Sequence, residues 1–426
     1  MKSVFERLRQ YNSWNGIHFN RGYTRLDYLN RFNNYLGNKL VKVFVGQRRT
    51  GKSYLLRQLI AHLIDEKGVA QKNIFYFNKE LPGMASIKNN EDLDALFQYY
   101  LREIKPKGKI YLFLDEIQNV SSWEVFVNAY SQDFTTDYEL FITGSNSNML
   151  SGELSTHLSG RYVVFDIYPF SFSEYADYLN LPKNKDSFLT YLQSGGLPEL
   201  FHLQSDELKT HYIESLRDTI ILRDIVNRKS IKDVVLLEDI LRFLISNIGN
   251  MTSLPSLVKY FKNEQKQTNY ETLSSYVSFL CETFVVHRVD RYQIKGKQSV
   301  GGVRKYYLND LSFKNYLFGF FADDLGYNLE NFVYLQLKSL GYKVSVGIWD
   351  KKEIDFVAES KDYTCYIQVA YVIAEQKTAE REYGNLLAIK DNFDKFIVTL
   401  DDVKFTNYQG VKHLFPWELS EVIPYV

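Results

Sequence analysis

Eight residues limit what this chain can fold into more than any others: Gly46-Gln47-Arg48-Arg49-Thr50-Gly51-Lys52-Ser53, which fits G-x-x-x-x-G-K-[ST] at every fixed position. Before them, Lys39 to Val45 is short, β-branched and apolar, and reads as a buried strand. After them, Ser53 to Lys67 carries Leu55, Leu56, Leu59, Ile60, Leu63 and Ile64 at helical spacing. A glycine-containing loop between a buried strand and a helix N-terminus turns backbone N–H groups toward an anion, and the helix dipole adds to the attraction. Gly46 to Ser53, with the adjoining Tyr54, are therefore the candidate phosphate-cradling residues. Lys52 is expected to set its ammonium against the outer phosphates, and Ser53 to hold Mg2+ through its hydroxyl.

The next strong signal supports that reading. Ile110-Tyr111-Leu112-Phe113-Leu114-Asp115-Glu116 is an apolar strand ending in two acids, which places them at the carboxyl edge of a sheet, where α/β folds bind ligands. Asp115 is the expected second Mg2+ partner, and Glu116 the general base that polarises a water. Leu140-Phe141-Ile142-Thr143-Gly144-Ser145-Asn146 is a further strand ending in polar groups, with Asn146, or else Ser145, a candidate for the γ-phosphate or the water. Leu158-Ser159-Gly160-Arg161 offers a guanidinium suited to transition-state charge in its own site, in a neighbour's, or to a plain salt bridge. Strands expected near 39–45, 73–77, 109–114, 138–143 and 162–167 alternate with helices near 53–67, 92–104 and 123–130. That alternation predicts an α/β fold with a parallel sheet covered on both faces.

Taken together, the loop, Leu-Asp-Glu-Ile-Gln, Thr-Gly-Ser-Asn and Leu-Ser-Gly-Arg, in this order and spacing, resemble the prokaryotic AAA+ ATPases. In particular they are similar to those whose C-terminal region is a domain of unknown function with a restriction-endonuclease-like fold. The resemblance implies ATP as the nucleotide, Arg161 as an arginine finger, and Arg25 and Arg21 near the nucleotide. It also implies an order of parts: an AAA+ core over 1–165, a helical lid over 166–230, a winged-helix module over 231–325 and an endonuclease-like α/β domain over 326–426. The expected activity is Mg2+-dependent ATP hydrolysis coupled to DNA or to a partner protein, with homo-oligomerisation a further expectation. A slow nucleotide-gated switch and an ATP-dependent nuclease are the alternatives.

The C-terminal half bears on those alternatives. Glu330, Glu353-Ile354-Asp355 and Ile367-Gln368-Val369-Ala370 resemble an endonuclease-like core, but Gln368 stands where a carboxylate is expected and Ala370 where a lysine is. Without that lysine the attacking water loses its support, so the expectation is a degenerate site; Lys377 is the nearest substitute along the chain. Helices followed by two Tyr/Val-rich strands (284–292 and 303–308) and a Lys/Gly turn suggest the winged helix. Lys259, Lys262, Lys266, Arg288, Arg291, Lys295, Lys297, Arg304 and Lys305 make 255–305 the candidate DNA-contacting stretch.

Composition removes several classes. Lys+Arg and Asp+Glu are both 51, which excludes a uniformly basic coat. Two cysteines are too few for a disulfide framework, and the histidines show no metal-ligand spacing. Absence of a long apolar run predicts no membrane span and a cytoplasmic protein. The 33 Tyr and 30 Phe fit either AT-rich codon usage or base-stacking surfaces.

Overall fold

The computed structural model describes residues 1–16, 19–149, 158, 160–350, 352–373, 376–405 and 407–426, with the backbone alone at 15, 148 and 376–379. The chain forms two compact units, Met1–Ile167 and Tyr168–Val426.

In the first unit, helices α1 (Lys2–Arg9) and α2 (Leu26–Asn33) precede β1 (Val41–Val45), α3 (Lys52–Asp65), β2 (Ile74–Asn78), α4 (Asn90–Ile104), β3 (Ile110–Asp115), α5 (Trp123–Ser131), β4 (Tyr138–Gly144) and β5 (Tyr162–Asp166). All five strands run parallel in the order β2-β3-β4-β1-β5. Every residue of β1, β2 and β4 is buried, which is why these segments read as continuous apolar runs rather than alternating ones. The aromatic excess goes inward here. Phe113 and Phe141 stack at 4.5 Å and Phe44 and Phe165 at 5.3 Å, all four packed with Leu55, Leu56 and Leu59 of α3. Such pairs add about 0.5–1.5 kcal/mol each beyond area burial, so these rings hold the sheet to its helix.

One buried ion pair interrupts the apolar strands. Lys42 is 1% exposed, and its Nζ lies 2.6 Å from Glu139 Oε1 on the neighbouring β4. Burial, ahead of the attraction to Glu139, pulls the Lys42 pKa below its ordinary value. Glu139 also receives Lys109 Nζ at 2.7 Å. Removing Glu139 leaves the Lys42 ammonium buried without its acid, so Glu139→Ala is expected to cost about 3–5 kcal/mol. Urea denaturation measures this; a loss under about 1 kcal/mol would show that the pair does not hold the strands.

The second unit begins with α6 (Phe172–Leu179), α7 (Lys185–Ser194) and α8 (Asp206–Thr219), which runs on into a π-helical stretch, Ile220–Val226. Then come α9 (Val234–Ser246), β6 (Thr252–Ser253), α10 (Leu254–Asn263), α11 (Tyr270–Glu282), β7 (Val286–Gln293), β8 (Gln298–Leu308), α12 (Ser312–Phe318) and α13 (Leu325–Ser339). The chain ends with β9 (Lys343–Trp349), β10 (Lys352–Glu359), β11 (Thr364–Val369), α14 (Gln376–Leu387), β12 (Asp394–Val398), β13 (Val411–Leu414) and a one-turn helix, α15 (Leu419–Val422). Helices α6 to α11 start at polar caps. Ser171, Asn184, Ser205, Asp233, Ser253 and Asn269 each accept a backbone N–H of the first turn.

Three strand features were not legible in the sequence. β8 starts at Gln298 rather than at 303, because the ladder with β7 continues through Ser299 and Val300, where no apolar alternation marks it. β13, four residues long, is too short to show a period. β7 also pairs in parallel with β9, so one sheet, β13-β12-β11-β10-β9-β7-β8-β6, runs through the unit.

The basic stretch needs one correction. Lys305 is not a surface cation: it is 4% exposed and lies 2.7 Å from Glu330 Oε1 and 2.6 Å from Glu353 Oε1. Sequence spacing alone does not show which acids a strand lysine faces across a helix. Lys266 pairs with Asp239 and Arg304 with Asp290, whereas Lys259, Lys262, Arg288, Lys295 and Lys297 are exposed. Among the described residues no helix is long and apolar enough to cross a membrane.

Candidate nucleotide site

The loop leaves β1 at its carboxyl end and enters α3 at Lys52. Two glycines make that passage. A side chain at Gly46 would bring a Cβ within 2.2 Å of the Ile167 carbonyl oxygen, so the loop passes too close to β5 for any other residue. Gly51 turns with φ +95°, the left-handed region, and is the residue before the first turn of α3. Gln47 and Thr50 are wholly buried, and the Thr50 hydroxyl donates to the Gln47 carbonyl at 3.0 Å, closing the loop on itself. Lys52 is 4% exposed; its Nζ donates to the carbonyls of Gly46 at 2.9 Å and Gln47 at 2.8 Å. The ammonium is thereby held at the loop rather than in solvent.

The two acids occupy the end of β3, one strand from β1 across β4. Asp115 is fully buried and hydrogen-bonded at both oxygens: Tyr76 donates to Oδ2 at 2.9 Å, Asn78 Nδ2 donates to Oδ2 at 2.7 Å, Thr143 donates to Oδ1, and Ser53 bonds the carboxyl too. Burial, then the charge of Glu116, push its pKa up, against the pull of those bonds. Glu116 differs. Burial opposes its charge as well, but Lys52 and Arg48, with hydrogen bonds from Gln118 and Ser145, outweigh it and hold the carboxyl below its usual range. Gln118 Nε2 donates to Glu116 Oε2 at 2.5 Å and Ser145 Oγ donates to it at 3.3 Å. Glu116 reaches this position through a left-handed backbone, φ +51°. Its N–H donates at 2.9 Å to the Thr143 hydroxyl, which itself donates to Asp115.

The structure thus brings Gly46 to Ser53, Asp115, Glu116 and Ser145 to one edge of the sheet. Asn146, 1% exposed, follows β4 at the same edge. Arg48 pairs with Glu80 at 3.3 Å. Arg25 is buried against the loop, its guanidinium 3.4 Å from the Thr50 carbonyl and over the Tyr28 ring. Tyr54 is 43% exposed and carries the Arg57 guanidinium on its ring. Arg49 stands in the loop with φ +69° and is exposed. Arg21, in contrast, turns to Asp65 at 2.8 Å.

Arg161 is not brought to this site within its own chain. Its carbonyl accepts from Val41 N–H, at the start of β1, while the loop leaves the other end of that strand. At about 3.3 Å per residue the two lie about 16 Å apart along the sheet. Its Nε donates to the Leu158 carbonyl. Ser159 of that motif, and residues 150–157 before it, lie outside the described residues.

Tyr76, Asn78, Thr143 and Gln118 were not singled out by sequence reasoning. The signal was register: Asn78 pairs with Asp115 across β2 and β3, and Thr143 sits one residue beyond the Leu114–Ile142 pair of β3 and β4. Strand ends that lie side by side in a parallel sheet share one edge, so the last polar residue of each strand was a candidate partner.

Comparison with known proteins gives this site a setting. Residues 38–176 match the AAA domain, and residues 185–324 match a domain of unknown function, DUF8612. An uncharacterized protein of Haemophilus influenzae is 35% identical over 402 residues, spanning 92% of this chain and 97% of that one. The chain belongs to that protein's family. A second uncharacterized protein, from Methanocaldococcus jannaschii, is 28% identical over 387 residues, covering 86% of this chain and 83% of its own length. Among solved structures, Aeropyrum pernix ORC1 in complex with DNA aligns over 70% of this chain and 93% of its own at a TM-score of 0.34 and 14% identity, a likeness too distant to argue from. The P-loop, Asp115 and Glu116 all fall inside the AAA domain match.

Proposed function

We propose that the chain is an Mg2+-dependent ATPase whose turnover is coupled to DNA or to a partner protein. The observation that carries the reading is Glu116: a buried carboxylate kept charged by Lys52, Arg48, Gln118 and Ser145, beside the phosphate loop. A general base has to be ionised and within reach of the water, and Glu116 is held charged at the same sheet edge as the loop. The residues fit a cation as well. Asp115 is desolvated beside a second acid, and Ser53 presents a hydroxyl to it, so these two oxygens would hold Mg2+. Bound there, the ion would supply charge neutralisation for the β- and γ-phosphates. The loop N–H groups and Lys52 orient the γ-phosphate, Glu116 takes the proton from the attacking water, and Lys52 balances charge that builds on the phosphoryl oxygens.

A slower reading, a nucleotide-gated switch, is favoured by one contact. Gln118 and Ser145 both donate to Glu116 Oε2 and hold the carboxylate in one orientation, so a shift of that bond would change how Glu116 meets a water. Stimulation by a partner would then act on that bond. Arg161, placed away from its own loop, is proposed to act across subunits of a homo-oligomer.

Coupling to DNA rests on the second unit, whose three helices α9 to α11 and hairpin β7–β8 with β6 follow the order of a winged helix. Lys295 and Lys297 sit at the exposed hairpin tip, and Tyr260 and Tyr270 are exposed on α10 and α11. Reversing both lysines to Glu is expected to weaken duplex binding and to flatten the log–log salt slope by about 2, at roughly 0.9 per phosphate contact. An unchanged slope in a salt titration removes the hairpin from any DNA interface. The proposal as a whole is tested by ATP turnover with and without double-stranded DNA: stimulation supports DNA coupling, and indifference transfers the role to a protein partner.

A further inference from the structure

The second unit holds a polar pocket of about 400 Å³ whose lining includes Lys305, Glu330, Glu353, Asp355, Gln368 and Glu382. Three of the acids converge on Lys305 Nζ, at 2.7 Å for Glu330, 2.6 Å for Glu353 and 3.7 Å for Asp355. Those contacts account for only part of the cluster. Gln368 is 6% exposed and Glu382 4% exposed, yet Gln368 Oε1 and Glu382 Oε2 have no hydrogen-bond partner among the described residues. A buried acceptor left without a donor costs about 1–3 kcal/mol, more for a charged one, so two in one pocket mark places for donors that a ligand supplies.

The chemistry of that ligand follows from charge and size. Four carboxylates line the pocket against two cations, Lys305 and Arg381, and Arg381 is largely exposed. Burial, and then the charge of Glu330, hold Asp355 well above the ordinary carboxylate range, which a further positive charge in the pocket would lower. Among the described residues no group of three or more His, Cys, Asp and Glu is arranged to hold a metal ion. The volume is that of a small-molecule site rather than of a bare ion. A primary ammonium, that of Lys305, already fits among these acids, and Tyr327, 40% exposed, adds a ring to the wall.

We propose that this pocket is a second ligand site, which takes a small organic cation with two or more ammonium groups, a linear aliphatic polyamine. One ammonium donates to Gln368 Oε1 and Glu382 Oε2, and the chain lies along Lys305 and the remaining acids.

Spermidine titrated into the full-length protein by calorimetry tests this. Saturable binding is expected, weakened about tenfold or more in Gln368→Leu and in Glu382→Gln, each losing a charge-assisted or buried acceptor. Thermal melting shows whether each variant folds. Glu353→Gln, altering a side chain 38% exposed, gives a third, less invasive variant expected to weaken binding as well. No saturable heat in the wild type overturns the proposal, as does equal affinity in the folded variants. Mn2+ that binds through Gln368 and Glu382 and excludes spermidine also overturns it, and makes the pocket a metal site.

Discussion

Lys52→Ala lowers the affinity for ATP at least about a hundredfold. Lys52 Nζ now donates to the Gly46 and Gln47 carbonyls, and in the proposed site it would exchange them for charge-assisted bonds to two phosphates. Each such bond is worth about 1.5–3 kcal/mol, and 1.4 kcal/mol is tenfold in affinity. The substitution has a second consequence. Lys52 is the first of the charges that oppose burial and keep Glu116 ionised, so the alanine also lets the Glu116 carboxyl rise toward neutrality. Calorimetry with ATP checks the binding, and an affinity unchanged from wild type would remove Lys52 from the phosphate site.

Glu116→Gln separates binding from chemistry. The amide keeps the side chain's size and leaves Lys52, Ser53 and Asp115 in place, so ATP still binds. It cannot take a proton from water, and general-base contributions of about 10²–10⁴-fold are then lost from turnover. The Gln118 amide, which donates to Glu116 Oε2 at 2.5 Å, can still find a carbonyl oxygen in the variant, so the local fold is kept. Hydrolysis at the wild-type rate would show that another group activates the water, and Glu116 would revert to a partner of Gln118 and Ser145.

Legibility in the sequence tracked how local the physics was. The phosphate loop, the apolar strands on either side of it and the acid pair at 115 and 116 are contiguous segments whose neighbours along the chain decide their conformation. They appear where the pattern put them: β1 at Val41–Val45, α3 at Lys52–Asp65 and β3 at Ile110–Asp115. Partners set by packing were not readable in that way. Thr143 joins Glu116 to Asp115 only because β3 and β4 lie in register, and Lys305 meets Glu330 and Asp355 only because β8, α13 and β10 come together. Lys305 read as one more cation in a basic run, although it is the one that folding takes out of solvent. Arg161 lies at the start of β5, away from its own chain's loop, which one sequence does not show in advance; of the roles open to it, that in a neighbour's site fits this placement. Ala370 leaves the position expected for an endonuclease lysine without one, and the side chain of Lys377 lies outside the described residues.

The central claim is that this loop and this acid pair hydrolyse ATP. Steady-state phosphate release by the full-length protein, with ATP and Mg2+ and again after the ion is chelated, tests it most directly. The account predicts turnover that stops on chelation and is absent in Glu116→Gln. Tight ATP binding with no phosphate release under any of these conditions, or release indifferent to both the ion and Glu116, would contradict it.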